Sequence, residues 1–324
     1  MPILSTHHLQ IGYSKGNEKT SVQTDLNLEL RRGEMVCLIG PNGTGKSTLL
    51  RTLSGLQKAL KGDVVITGKL LTKISYRERA LKIALVLTDK VQVENARVFD
   101  IVALGQFPYS HWLKGLDSKA NDKITEAIKM VHLEDKSSHF INELSDGERQ
   151  RVMIAKALAQ DTPLIFLDEP TAHLDLPNRV EIMLLLHKLA HQTNKAILLS
   201  THELDLALQA ADKIWLMDKN GVINGVPEDM VLNGTFNRVF KSDAYFFNPA
   251  NGNFSMNYAL HKKVHLSGEK TKMYWTLRAL ARAGYFVTED AEVKIVIGEK
   301  DWHLNNKHFS TIDSLLSELD TFVF

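Results

Sequence analysis

Gly40-Pro-Asn-Gly-Thr-Gly-Lys-Ser47 follows directly on the continuous apolar run Met35–Ile39, and this junction constrains the fold more than any other stretch. Such an unbroken run is expected of a parallel strand covered on both faces. The residues after it fit G-x-x-x-x-G-K-[ST]. Glycines allow the tight turn that brings backbone N–H groups within reach of phosphate oxygens. Lys46 supplies a mobile positive charge for β- and γ-phosphates, and Ser47 offers a hydroxyl to Mg²⁺. The helix expected to follow aims its positive end at the same anion.

Two further apolar runs end in chemically capable residues. Leu164–Leu167 runs into Asp168-Glu169, and Ala196–Leu199 into Ser200-Thr201-His202. Helical periodicity lies between them, in Arg149–Gln160 and in Arg179–Ala190, where Val180, Met183, Leu184 and Leu186 are apolar. Strands alternating with helices predict an α/β fold whose ligand gathers beyond the strands' C-terminal ends. Asp168 is expected to hold Mg²⁺ through water, and Glu169 to polarise the water that attacks a γ-phosphate.

Composition narrows the alternatives. At about 150 residues per domain, a chain of 324 residues predicts two domains. Lys plus Arg (39) against Asp plus Glu (38) leaves a net charge of +1, with no global field to gather nucleic acid or anionic lipid. A single cysteine, Cys37, excludes an internal disulfide framework and a Cys-based zinc site; inside an apolar strand it reads as a small buried hydrophobe. No apolar run approaches the roughly 18 residues of a membrane span, and Met1–Gln10 has no apolar signal core. These features predict a cytoplasmic protein. Trp112, Trp215, Trp275 and Trp302 are read as core packing.

Leu144-Ser-Asp-Gly-Glu-Arg-Gln150 carries two messages. Ser145 and Glu148 make a capping box that opens the helix read at Arg149–Gln160. Gly147 is poor for a first helical turn but suits close approach of the backbone to an anion. The stretch resembles the LSGGQ signature of ATP-binding cassette (ABC) ATPases, with Asp146 and Glu148 at its third and fifth positions. The phosphate loop, this signature, the Asp168-Glu169 pair and His202 follow the family's order and spacing over roughly residues 3–240.

The resemblance implies an ABC-type P-loop NTPase domain over residues 1–240. Its parts would be a RecA-like parallel-sheet core, an antiparallel β subdomain and a helical subdomain at about 89–160. It implies a homodimer sandwiching two ATP molecules, the phosphate loop of one copy facing Ser145 and Gly147 of the other. Gly40, Pro41, Asn42, Gly43, Thr44, Gly45, Lys46, Ser47 and Thr48 would cradle the nucleotide, with Lys46, Glu169 and His202 acting on the γ-phosphate. Tyr13 would stack on adenine, Asp175 would lie in the D-loop at the dimer interface, and His173 would be a turn residue there. Ser47 and Asp168 are the expected Mg²⁺ contacts. Where the family ends a strand in a metal-sensing Gln, Ile83–Leu87 ends at Thr88, with Gln92 four residues on. The shorter Thr88 hydroxyl, placed toward the metal, is expected to weaken coupling of hydrolysis to transporter contacts without abolishing turnover.

Val98-Phe-Asp-Ile-Val-Ala-Leu-Gly-Gln-Phe-Pro-Tyr109 is similar to the V-x-E-x-V-x-x-G-R-x-P-[HY] stretch of ATPases serving importers of iron–siderophore, haem and cobalamin complexes. Gln106 stands at the Arg position. The resemblance thus implies an ATP-hydrolysing importer subunit, peripheral on the inner face of the cell membrane. It would dock through this region to a separate integral permease, itself supplied by an extracytoplasmic binding protein. A soluble ABC clamp on ribosomes or DNA would usually show tandem cassettes or long coiled-coil insertions, and this chain has one cassette and no sustained heptads. A passive ATP-binding regulatory module would not need Glu169.

Composition shifts near residue 240, and residues 241–324 hold thirteen of the 24 aromatics, enough for a separate small core. Val293, Ile295 and Ile297 alternate as in a half-buried strand. Met273, Leu277, Leu280 and Ala281 form a helical stripe with Gly284 beyond it, and Ile312, Leu315, Leu316 and Leu319 form another. A small α+β domain is expected, its role open between ligand regulation, dimer contact and edge covering.

Overall fold

The computed structural model describes residues 1–16, 18–87, 95–109 and 116–321; Thr88, Gln92 and Trp112 lie outside them. It divides into two compact units, residues 1–240 with 249–253 and residues 241–248 with 254–324.

The first unit begins with β1 (Leu4–Lys15), β2 (Glu18–Leu26), β3 (Glu29–Leu30) and β4 (Met35–Ile39), then α1 (Lys46–Leu53). Next come β5 (Lys61–Ile66), β6 (Lys69–Leu70), α2 (Tyr76–Ala80), β7 (Ile83–Val86), α3 (Val98–Ala103), α4 (Ser118–Met130) and α5 (Asp146–Ala159). The remainder is β8 (Leu164–Asp168), α6 (Leu176–Thr193), β9 (Ala196–Ser200), α7 (Leu204–Ala210), β10 (Lys213–Asp218), β11 (Gly221–Gly225), α8 (Pro227–Leu232) and α9 (Thr235–Val239).

Six strands form the central sheet in the order β11-β10-β4-β9-β8-β7, parallel except for the β10–β11 hairpin. Every residue of β4, β8 and β9 is buried, as strands covered on both faces require. Register places Ser200 level with Leu38 on one side and Asp168 on the other. The sheet thereby brings the start of the phosphate loop and the acid pair to one edge. An antiparallel sheet, β2-β1-β5-β6 with β3 on β1, shares a core with it through Leu9, Ile11, Val64 and Ile66. Helices α3, α4 and α5 pack on one another.

Two helices begin earlier than their apolar periodicity, because their caps lie upstream of the first buried stripe. Ser145 Oγ accepts the Glu148 N–H at 3.3 Å while Glu148 Oε2 accepts the Ser145 N–H at 2.9 Å, so α5 opens at Asp146. Asp175 caps α6, which opens at Leu176 with Pro177 in its first turn. Leu184, read as part of the apolar stripe, is instead exposed.

The second unit contains β12 (Tyr245–Asn248), all but the first residue of β13 (Asn253–Met256), with which β12 pairs, β14 (Lys262–Gly268), α10 (Lys270–Arg282), β15 (Tyr285–Val287) and β16 (Lys294–Ile297). It closes with β17 (Trp302–Leu304), β18 (Lys307–Phe309) and α11 (Ile312–Leu319). Its main sheet runs β15-β14-β16-β17-β18, the first three parallel and the last two added antiparallel. Ile295 and Ile297 enter the core while Val296 faces out. The α10 stripe differs from expectation: Leu277 is exposed and Thr276 is buried, its Oγ1 accepting from Trp302 Nε1 at 2.9 Å. An indole that must pair its N–H selects a hydroxyl over an isobutyl group. Trp215 and Trp302 are core residues, but Trp275 is exposed, correcting the reading that packed it inside. Gly284, at φ +84°, ends α10 by donating to the Ala281 carbonyl. Among the described residues no helix is long and apolar enough to cross a membrane.

Candidate active site

The phosphate loop is fixed by close approach. Gly40 has φ +150°, and a Cβ there would stand 2.0 Å from the Met217 carbonyl oxygen. The loop is tied from within by Thr44 Oγ1, donating to the Pro41 carbonyl at 2.9 Å, and from β2 by the Gln23 amide, donating to the Thr44 carbonyl at 3.1 Å. Lys46 Nζ donates to the carbonyls of Gly40 (2.9 Å) and Pro41 (3.2 Å), so the ammonium sits inside the curl of the loop. Burial lowers its pKa from the ordinary lysine value, and the charges of Glu169 and Asp168 oppose that shift. Tyr13 OH and Thr48 Oγ1 share a hydrogen bond of 2.8 Å, which sets the half-exposed phenol beside the start of α1.

Across the sheet, Asp168 Oδ1 accepts from Ser47 Oγ at 3.3 Å and from Ser200 Oγ at 2.7 Å. The same Ser200 Oγ accepts the Glu169 N–H at 2.9 Å. Glu169 has φ +50°, the left-handed region, which costs a non-glycine residue about 1 kcal/mol. Ser200 therefore holds both acids: one carboxylate by donation, the other by fixing its strained backbone. Sequence reading missed this residue, although its place beside His202 at the end of an apolar run was the available signal. His202 Nε2 lies 3.0 Å from Glu169 Oε1. Arg179 donates to the Leu174 carbonyl and to Glu203 Oε1, each at 2.6 Å, linking the turn before α6 to the loop after β9.

Ser145, Gly147 and Asp175 belong to a second group. Ser145 is engaged as the α5 cap, and Glu148 is also paired with Lys136. Gly147 is buried against α6: a Cβ there would stand 2.3 Å from Asn178 Oδ1. Asn178 is itself held by its Nδ2 donating to Asp175 Oδ1 at 2.6 Å. Within one chain the absence of a side chain at Gly147 thus already serves packing. His173, at φ +66°, occupies a tight turn in the same segment.

Comparison with known proteins follows the same lines. Residues 23–172 match the ABC transporter family, and residues 261–320 match the iron ABC transporter C-terminal domain. An uncharacterised ABC transporter ATP-binding protein of Methanocaldococcus jannaschii is 41% identical over 74% of this chain and 81% of its own length. A probable siderophore transport system ATP-binding protein of Bacillus subtilis, YusV, is 35% identical over 74% of this chain and 86% of its own. Among solved structures, a metal-chelate type ABC transporter in an inward-facing conformation aligns with a TM-score of 0.64, at 27% identity over 74% of this chain and 89% of that one. A dimeric ABC cassette in a post-hydrolysis state with ADP and Pi aligns with a TM-score of 0.60, at 29% identity over 69% of this chain and 98% of that one.

Proposed function

Because the chain belongs to the ABC transporter family, as an ATP-hydrolysing subunit, we propose that it energises uptake of an iron–siderophore type chelate through a separate membrane permease. The single observation that carries the catalytic part is the continuous set Ser47–Asp168–Ser200 with Glu169 held against His202. The C-terminal match to iron transporters and the siderophore relatives support the cargo class.

In this reading Lys46 and the loop amides bind the β- and γ-phosphates of ATP, and Tyr13 stacks on its adenine. Glu169 accepts a proton from the attacking water, and His202 orients that carboxylate and contacts the γ-phosphate. Ser47 and Asp168 present converging hard oxygens, a donor set that fits Mg²⁺; bound there, the ion would neutralise charge on the phosphates. Ser145 and Gly147 act on the nucleotide held by a second copy, and Asp175 lies at that junction. The dimeric cassette relative supports this arrangement.

The permease contact falls on α3 and the turn after it. Leu104 and Phe107 are exposed there, whereas Gln106 is buried with its amide donated to the Ala159 carbonyl. Gln106 therefore anchors the turn to α5, and the two apolar neighbours make the docking surface. Through it the chain reaches the membrane. Lys46→Ala and Glu169→Gln are each expected to lower ATP turnover by about 10²–10⁴-fold; a normal rate in either rejects the assigned roles. Co-purification of an integral permease, followed by iron–siderophore uptake into proteoliposomes, tests the transport reading. An assembled permease that moves no ferric chelate rejects the cargo class.

A further inference from the structure

The β17–β18 hairpin of the second unit gathers three metal-competent side chains. Asp301 and His303 are two residues apart, so they project to one side of extended chain. His308 is the register partner of His303 on the neighbouring strand. His303 Nε2 lies 3.0 Å from Asp301 Oδ1, His308 Nδ1 lies 3.2 Å from Asp301 Oδ2, and the imidazole centroids are 4.1 Å apart. One donor atom from each residue falls within 4.8 Å of the other two. An ion bound at about 2.1 Å by nitrogen and oxygen donors sets them roughly 3.4 Å apart in a tetrahedral arrangement. The Asp301–imidazole separations of 3.0 and 3.2 Å lie close to that spacing.

A second feature keeps the place open. A Cβ on Gly298 would stand 2.6 Å from Asp301 Oδ1 and 3.3 Å from His303 Nε2, so glycine there leaves the flank of both donors clear. The turn carrying Asp301 is fixed as well: the Gly298 N–H donates to the Asp301 carbonyl at 2.9 Å, and Lys272 Nζ donates to the Gly298 carbonyl at 3.1 Å. Trp302, between Asp301 and His303, is buried on the opposite face and bonded to Thr276. The ligand-bearing strand is thus anchored by the core, the support a metal site requires.

We propose that Asp301, His303 and His308 form a binding site for a divalent first-row transition ion, with solvent completing its coordination. Two imidazoles and one carboxylate suit ions such as Zn²⁺, Co²⁺ or Fe²⁺, whereas Mg²⁺ and Ca²⁺ favour all-oxygen sets. The exposure of His308 leaves coordination positions to water, which makes the site one of reversible binding. None of its residues belongs to the nucleotide machinery, so the proposal goes beyond the ATPase reading.

The test is an optical titration of the nucleotide-free full chain with Co²⁺. Expected are visible d–d bands that saturate with a single Co²⁺ per chain, are displaced by Zn²⁺ and resist excess Mg²⁺. H303A and H308A should each weaken binding by about 100-fold, and G298A by about 10-fold. The amide variants H303N and H308N, which can still bond to Asp301, should lose the bands too. H187A/H191A, in the other His-rich group of the described residues, should retain them. Circular dichroism melting identifies any variant that fails to fold, and the amide variants then decide. Absence of d–d bands, as a purely hydrogen-bonded His–Asp clamp requires, or bands that survive in H303A/H308A, would overturn the proposal.

Discussion

Gly147→Ala separates two reasons for a glycine at the opening of α5. The added methyl would lie 2.3 Å from Asn178 Oδ1 and 2.6 Å from its Cγ, so Asn178 must swing away. That movement breaks its 2.6 Å bond to Asp175 Oδ1, an exposed hydrogen bond worth about 1 kcal/mol. Alanine returns about 1 kcal/mol of helix propensity over glycine. The two nearly cancel, and urea denaturation should place G147A within about 1 kcal/mol of the parent. Turnover should respond differently. If the bare backbone at Gly147 must approach a nucleotide on another copy, displacing that donor is expected to cost about 10²–10³-fold in kcat. The double variant G147A/N178A removes the obstructing amide while keeping the methyl. Steady-state ATPase should stay low in it, although N178A alone remains active. Recovery of G147A/N178A to the N178A rate would refute the nucleotide role and leave Gly147 as a packing residue only.

Other substitutions probe the remaining contacts. Ser200→Ala removes a partner from the half-buried Glu169 N–H and from the buried Asp168 carboxylate, which should cost about 1–3 kcal/mol in denaturation and lower kcat with it, whereas Ser200→Thr keeps the hydroxyl and should retain activity; an unchanged S200A would show that the acids hold themselves. Asp161 is bonded to Lys123 at 2.8 Å and to Lys195 at 3.0 Å. Burial pushes its pKa up, but these two ammonium partners outweigh it and hold the group below 3.8. Its contribution is therefore complete above pH 3.8 and disappears as pH falls through the lower folded value, so Asp161→Asn should destabilise by roughly 1 kcal/mol or less at neutral pH, the difference closing in acid denaturation curves. Leu104→Glu with Phe107→Glu should leave basal ATPase intact and abolish its stimulation by a reconstituted permease; retained stimulation would move the docking surface elsewhere.

What was legible in the sequence was local. The phosphate loop announces itself because eight consecutive residues carry the whole geometric demand, and the runs into Asp168 and Ser200 mark strand ends because unbroken apolar stretches have few other uses. Caps were equally readable, since Ser145 and Glu148 bond across a fixed spacing. Tyr13 and His202 could be named, but their partners Thr48 Oγ1 and Glu169 Oε1 come from separate elements.

The misses share a cause. Ser200 matters because β9 pairs with β8 in the register that sets it against Asp168, and a shift of one residue would turn its hydroxyl to the other face. Thr276 displaced Leu277 from the core because Trp302, 26 residues away, needed an acceptor for its indole N–H. Gly147 carries a packing constraint that the sequence does not show, because its neighbour Asn178 arrives only when α6 packs beside α5. Asp301, His303 and His308 were plain in the sequence, yet nothing in their spacing fixed the hairpin register that pairs His303 with His308. Periodicity ranks positions by the apolar contacts they seek, whereas these four cases were decided by polar groups that had to be paired across strands or helices once water was excluded. The polar residue lying just beyond or just beside an apolar stripe is therefore where pairing, and with it function, escapes a hydrophobic pattern.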